Sequence, residues 1–199
     1  MNLGLEGRVC VVAGGTRDIG VAAARMLSQE GARVLTVARQ GADIELDVTA
    51  ADAGELVLQA CPETPWALVS SVGASQARAA GDLSHSDWRE QWELHVMAPM
   101  RLMRALAPAM ADAGGGRVVN VSPSSPYSVT RAARLSLSRV FADAFAARGV
   151  LVNSVTPGAG EDERTDDEVA AAITFLCSER ASNVTGAAWA VDGGPLPTV

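Results

Sequence analysis

Short apolar runs and helical repeats alternate along this chain. Residues 8–13 (RVCVVA) are an apolar run between Gly7 and Gly14, the pattern of a buried strand. Over 18–30, Ile19, Ala22, Ala23, Met26 and Leu27 recur at helical spacing, and Gly31 stops that helix. RVLTVA (33–38) reads as a second strand and DIELDV (43–48) as a third. Residues 50–60 read as a short helix, and WALVSSVG (66–73) as a fourth strand ending in small residues. A long helical stretch covers 84–113, opened by Ser84 or Ser86 as N-cap, with Pro99 and Pro108 as points where it kinks or breaks. GGGRVVNVS (114–122) is a glycine linker and a fifth strand. A helix over 127–148 carries Ala133, Leu137, Val140, Phe141, Ala144 and Phe145 on one face and ends at Gly149. VLVNSV (150–155) is a sixth strand, closed by Thr156, Pro157 and Gly158. The acidic stretch 158–168 is a loop or a frayed helix start, 168–178 a last helix, and AAWAV (187–191) a seventh strand.

Buried strands alternating with helices imply an α/β fold, one doubly wound parallel sheet of about seven strands with both faces covered. No repeat and no linker divides the chain, so residues 1–199 read as a single Rossmann-like domain. Ligands of such sheets bind beyond the carboxyl ends of the strands. Those ends are residues 14–20, 38–39, 70–73, 122–123 and 156–158, which the fold would gather on one edge.

Composition narrows the partners. Apolar residues make up 48% and charged residues 20% of 199, an ordinary globular balance with room for one core. The net charge of −7 argues against nucleic acid or an anionic membrane as partner and leaves room for a small-molecule substrate. Cys10, Cys61 and Cys177 show no zinc or disulfide spacing, which fits reduced thiols in the cytoplasm. The start MNLGLEGRVCVVAGG runs straight into a strand, so no signal peptide is expected, and no apolar run is long enough to span a bilayer. The Ala-, Gly- and Arg-rich, Lys-poor usage suggests a bacterial source.

The turn VVAGGTRDIG (11–20) has the position of a phosphate cradle: glycine after a first strand, then a helix whose N-terminus favours an anion. Dinucleotide sites that hold a ribose 2′-hydroxyl carry Asp or Glu at the end of the second strand. Here that end is Val37, Ala38, Arg39, with no carboxylate. Arg39 and Arg17 could pair with a 2′-phosphate, which favours NADP(H) over NAD(H), or could be solvated surface charges.

With these pieces in order, the chain resembles the short-chain dehydrogenase/reductase family over nearly its whole length. Gly14, Ile19 and Gly20 match the family's Thr-Gly-x-x-x-Gly-Ile-Gly turn, Asp47 and Val48 its adenine-side Asp-Val, and Gly73 the end of its Asn-Asn-Ala-Gly segment. GRVVNVS (116–122), Tyr127 with Arg131, VLVNSVTPG (150–158) and VTGAAWAVDGG (184–194) match its later marks. The resemblance implies hydride transfer between a nicotinamide and a carbonyl or alcohol, and homo-oligomers, dimer or tetramer, built through the helices at 84–113 and 127–148. The implied cofactor contacts are Gly14, Thr16, Arg17, Asp18, Ile19, Gly20, Arg39, Asp47, Val48, Gly73, Pro157 and Gly158.

For catalysis the resemblance implies Tyr127 as acid/base, with Arg131 in the place of the lysine that lowers the tyrosine pKa. An arginine supplies that field but cannot shed a proton at working pH. His95 takes the place of an asparagine in a proton relay and reads equally as a core histidine. The second serine of the family's pair is Pro123 here, leaving Ser122 or Ser124 as candidates for orienting the substrate. Three segments depart further: residues 39–43 leave no room for a crossover helix, the substrate lid after Gly158 is nearly absent, and Asn-Asn-Ala-Gly has become Ser70, Ser71, Val72, Gly73. Strands two and three then join by an extended loop, or strand three is displaced.

Asp18 stands where the family has glycine, against the expected pyrophosphate. A carboxylate there adds bulk and like-charge repulsion, unless it caps the helix or pairs with Arg17 or Arg39. Cofactor binding is expected to be weak or absent, with weakened binding favoured. Three functions stay open: a divergent NADP(H)-linked reductase or alcohol dehydrogenase; a non-redox cyclase, isomerase or dehydratase that keeps Tyr127; and a binding or partner protein without chemistry.

Overall fold

The computed structural model describes residues 2–73, 80–122, 128–158 and 166–194. Seven strands form one parallel sheet: β1 (Val9–Ala13), β2 (Arg33–Ala38), β3 (Ile44–Glu45), β4 (Ala67–Ser70), β5 (Gly116–Val121), β6 (Val150–Pro157) and β7 (Ala188–Val191), in the order β3-β2-β1-β4-β5-β6-β7. Side chains alternate along β1, so Cys10 and Val12 enter one core while Val11 and Ala13 enter the other. The first core packs under α1 (Asp18–Gln29) and α6 (Asp166–Cys177); the second packs under α2 (Ala53–Ala60), α4 (Ala98–Asp112) and α5 (Ser128–Phe145). Two covered faces explain why the strands read as unbroken apolar runs.

Strand three is in place beside β2 but only two residues long, with Val37 opposite Ile44. The crossover 39–43 is a five-residue run of bends with no helix, and Gly41 turns it with φ +70. Asp43 closes it: its Oδ2 accepts from the Thr36 N–H (2.9 Å) and Oγ1 (2.7 Å). The last helix starts two residues earlier than its pattern implies, and Asp166, Asp167 and Glu168 occupy its first turn, where carboxylates suit the helix dipole.

The stretch 84–113 is a single run of helix with a change of pitch inside it. Ser84 caps α3 (His85–Trp92) in a reciprocal capping box with Asp87. Residues Glu93–Met97 then form a π-turn, in which the Ala98 N–H reaches back five residues to Glu93 O. Pro99 accounts for the wide turn: it has no N–H to give the carbonyl four residues back, and its ring would crowd that carbonyl. Pro108 is carried within α4.

The expected apolar face of α5 is only partly buried, with Leu137, Phe141 and Phe145 packed against the second core. Val140 is 60% exposed and Ala144 is also exposed, while Leu137, Phe141 and Phe145 are half-buried. Turned to the interior instead are Thr130, Arg134, Ser138 and Ala142. Polar groups can hold that face because each hydroxyl finds a partner inside. Ser138 Oγ accepts from Asn120 Nδ2 (2.9 Å), donates to Arg134 O (2.9 Å) and meets Ser154 Oγ (2.8 Å).

Candidate active site

The strand order reverses between β1 and β4, so the crevice of an open sheet falls at their carboxyl ends. Gly14 leaves β1 with φ +81 and donates its N–H to Val37 O (2.8 Å). A Cβ on Gly14 would lie 2.6 Å from Ser71 O, and one on Gly20 would lie 1.9 Å from Gly14 O. The turn is therefore as tight as a glycine cradle requires. Hydrogen bonding within α1 begins with the Gly20 and Val21 N–H groups on Arg17 O, so the backbone donors ahead of them have no partner within the helix. Ile19 is buried beneath, Thr16 is half-buried, and Arg17 and Asp18 are exposed.

Asp18 is not the helix cap. Arg17 holds the N-cap position, and Asp18 follows as the first helical residue. Its φ of +48 is the one positive value outside glycine among the described residues. Asp tolerates this left-handed region better than most residues but still at some cost. Among the described residues Asp18 has no hydrogen bond or ion pair, with Arg17 and Arg39 included. Asp18 is an exposed residue of the glycine turn, next to the helix N-terminus.

Beyond β2, Arg39 is exposed and close enough to Asp47 to act on it. Asp47 Oδ1 accepts from Thr49 N–H (3.0 Å) and Oγ1 (2.7 Å); these bonds first, and Arg39 last, hold its carboxyl below the usual range. Val48 is buried behind it. On the far side of the sheet, Pro157 ends β6 and the Gly158 N–H donates to Val191 O (3.0 Å).

Ser71 N–H donates to Ala13 O, and Gly73 faces His95, with a Cβ placed on Gly73 3.6 Å from His95 Nε2. His95 sits in the π-turn, wholly buried, with Nδ1 3.0 Å from Thr130 Oγ1. Burial first, and the Arg134 charge second, push its pKa down to about 4, so the ring is neutral at pH 7. Arg134 is absent from the sequence candidates, yet among the described residues its guanidinium is the charged group that meets this edge of the sheet. Nη2 donates to Ser70 O (2.9 Å) and Ser70 Oγ (2.8 Å), Nη1 to Val72 O (3.0 Å), and burial lowers its pKa to about 9. Its one signal in the sequence is spacing: hydroxyls stand four residues before it at Thr130 and four after at Ser138.

The other catalytic candidates divide. Tyr127 and Ser124 lie outside the described residues. Arg131 is half-exposed on the first turns of α5 and makes no hydrogen bond or ion pair among the described residues. Ser122 is wholly buried after β5, and its Oγ has no hydrogen-bond partner. Among the described residues there is no cluster fit to hold a metal, and no helix is long and apolar enough to cross a membrane.

His95 carries a pH signature. Its pKa falls from 6.5 to about 4 on folding, so the unfolded chain binds the extra proton between those values. The stability tied to the neutral ring is whole above pH 6.5 and drains away as pH falls toward 4, by about 1–3 kcal/mol. Urea melts across that window should show a shallower slope in His95→Gln than in the wild type; parallel slopes would remove His95 as the cause.

A parallel sheet in this order, with a glycine turn at the switch point and a helix N-terminus above it, defines a dinucleotide-binding class of protein. Residues 44–171 match the family model of the short chain dehydrogenases. The chain belongs to the short-chain dehydrogenase/reductase family of oxidoreductases. It is 32% identical to cis-4-hydroxycyclohexanecarboxylate dehydrogenase of Sinomonas cyclohexanicum, over 94% of this chain and 96% of the relative. It is 27% identical to the uncharacterized oxidoreductase YvrD of Bacillus subtilis, over 98% of each. Those alignments run over 238 and 258 positions, against 199 residues here, so the relatives carry internal segments that this chain lacks. In structure it resembles L-sorbose reductase from Gluconobacter frateurii, solved with NADPH and L-sorbose, with a TM-score of 0.90 at 27% identity over the whole of both chains.

Proposed function

We propose that this protein is an NADP(H)-linked reductase or dehydrogenase of a small carbonyl or alcohol, with weakened cofactor affinity. The observation that carries the reading is the turn at 14–20, whose glycines leave no room for a Cβ and whose donors open at the end of α1. Arg39 and Arg17, both exposed beyond β2 and β1, supply the cations a 2′-phosphate needs. The remaining cofactor contacts fall on Gly14, Thr16, Asp18, Ile19, Gly20, Asp47, Val48, Gly73, Pro157 and Gly158. The nicotinamide, when bound, exchanges the hydride; the chain's own part is to hold it and to move a proton. Tyr127 gives or takes that proton at its hydroxyl, Arg131 supplies the positive field beside it, and Ser122 or Ser124 orients the substrate oxygen. His95 contributes a neutral hydrogen-bonding ring. A ketose or polyol substrate is supported by relatives named L-sorbose reductase and galactitol 2-dehydrogenase. The setting is cytoplasmic, supported by three free thiols. Homo-oligomerisation is supported by the exposed Val129 and Val140 on α5, and light scattering would read it.

The test is titration of NADPH and NADH side by side, followed through the four tryptophans. Saturation with NADPH tighter than NADH is expected; no saturable change with either at millimolar concentration sinks the reading. Asp18 sets the second measurement. Two unit charges about 4 Å apart repel by about 4 kcal/mol at intermediate dielectric, and a quarter of that is about fivefold in affinity. Asp18→Gly should tighten NADPH at least about fivefold with little change in stability, since relief of the left-handed backbone and the added freedom of the unfolded chain nearly cancel. Equal affinities would mean that the carboxylate does not meet the phosphates. Asp18 also favours a second reading, a relative that has lost chemistry and serves as a partner subunit, which an inactive protein in a stable hetero-complex would support.

A further inference from the structure

Arg134 is 1% exposed, yet no carboxylate among the described residues pairs with it. Its whole neutralisation comes from two carbonyls and one hydroxyl, and its Nε–H has no acceptor. Burying a cation on such terms costs several kcal/mol, where an apolar side chain on the same helix face would cost nothing. The site gained by this is specific. Residues 70–73 pass between the two halves of the crevice, with Ser71 O under Gly14 and Gly73 against His95. The segment has no side-chain amide of its own to hold it, and the donors come instead from α5, across 62 and 64 residues of sequence.

We propose that Arg134 is the positioning residue of this site: its guanidinium fork fixes the edge 70–73 between the phosphate turn and the His95 ring. The proposal rests on the dinucleotide reading above for the ligand that this edge meets. The fork spans Ser70 O and Val72 O, two carbonyls of one chain segment, so it sets both the height and the tilt of the edge. One helical turn earlier, Thr130 holds His95 Nδ1, so α5 orients the edge and the ring together. Among the described residues Arg134, on α5, is the charged group that acts on the ring; Gly73 faces it from the β4 side and brings no charge. A shift of the edge is thus felt at the ring, and a loss of the charge changes its protonation.

The test uses the full chain with Arg134→Lys and Arg134→Met. Two histidines make the imidazole region of the NMR spectrum simple, and His85, at the exposed start of α3, is the internal reference. Arg134→Lys keeps the charge and loses the fork: His95 should stay neutral down to about the same pH, while NADPH binds about 5- to 20-fold more weakly. Arg134→Met removes both: the His95 titration should move up by about one pH unit, with NADPH weakened at least as much. A merely structural arginine would lower the melting temperature of both variants and leave NADPH affinity and the His95 titration unchanged below it; that result overturns the proposal. Should Arg134→Met not fold, unchanged affinity in Arg134→Lys overturns it alone. Should the wild type not bind NADPH, the dinucleotide reading fails separately. The proposal is then decided by the rings: His95 resonances displaced in Arg134→Lys support it, and superimposable ones refute it.

Discussion

Tyr127→Phe should lower carbonyl reduction by about 10²–10⁴-fold, the range that a positioned acid/base contributes, while NADPH affinity stays within about twofold. The expected loss is at the high end because the chain offers no substitute. Tyr127 is its only tyrosine. A guanidinium, the side chain that Arg131 offers, is not a general acid. Ser122 Oγ is closed off from solvent, and His95, with a pKa of about 4, takes up no proton near neutrality. The measurement is NADPH consumption over a panel of ketoses and other small carbonyls. Turnover that survives in the variant would end the assignment of Tyr127. Turnover that needs Tyr127 but not the nicotinamide would replace the redox reading with an isomerase, cyclase or dehydratase.

Gly20→Ala should cost about 3 kcal/mol or more and abolish cofactor binding. The new Cβ would lie 1.9 Å from Gly14 O, 2.8 Å from Gly14 C and 3.2 Å from Gly15 Cα, all backbone atoms of the turn it follows. No rotamer relieves a Cβ, so α1 must move away from β1 or the turn must open, and overpacking of this kind falls at or above the upper end of the usual range. For a chain of this size the melting temperature should drop by roughly 6–12 °C. Gly81→Ala is the control: nothing lies within 4 Å of its Cβ position, so stability should hold. A Gly20→Ala protein that melts with the wild type would show that α1 is not seated as tightly on the turn as its geometry requires.

Much of the fold was legible because its signals are local. Apolar runs of strand length, helical spacing over 18–30 and glycines at 14, 31 and 149 each act within a few residues, and the structure places strands or helix ends there. Ser84 was one of two candidate caps, and the capping box with Asp87 selects it. The edge that collects the strand ends follows from parallel winding alone. Less of the site could be read. The π-turn around His95 depends on Pro99, which the sequence marks as a kink without fixing its form. The backbone of Asp18 is decided by the turn it sits in, and its own preference points equally to a cap.

The α5 helix separates the two kinds of information most clearly. Its sequence predicts a helix, and the helix is there; it also offers an apolar stripe, which stays half-exposed while Thr130, Arg134 and Ser138 turn inward. Burial of apolar area favours one rotation of the helix in isolation. Partners for buried polar groups favour the other, and those partners, Ser70, Val72, His95, Asn120 and Ser154, come from other strands and helices. Periodicity and turn chemistry are carried by neighbouring residues, so the alternation of strand and helix, the sheet and the glycine cradle can be read from the order of the amino acids. The burial of Thr130, Arg134 and Ser138 on α5, and the place of Arg134 beside His95, come from the folded chain, because a buried charge is tolerated only where sequence-distant carbonyls meet it.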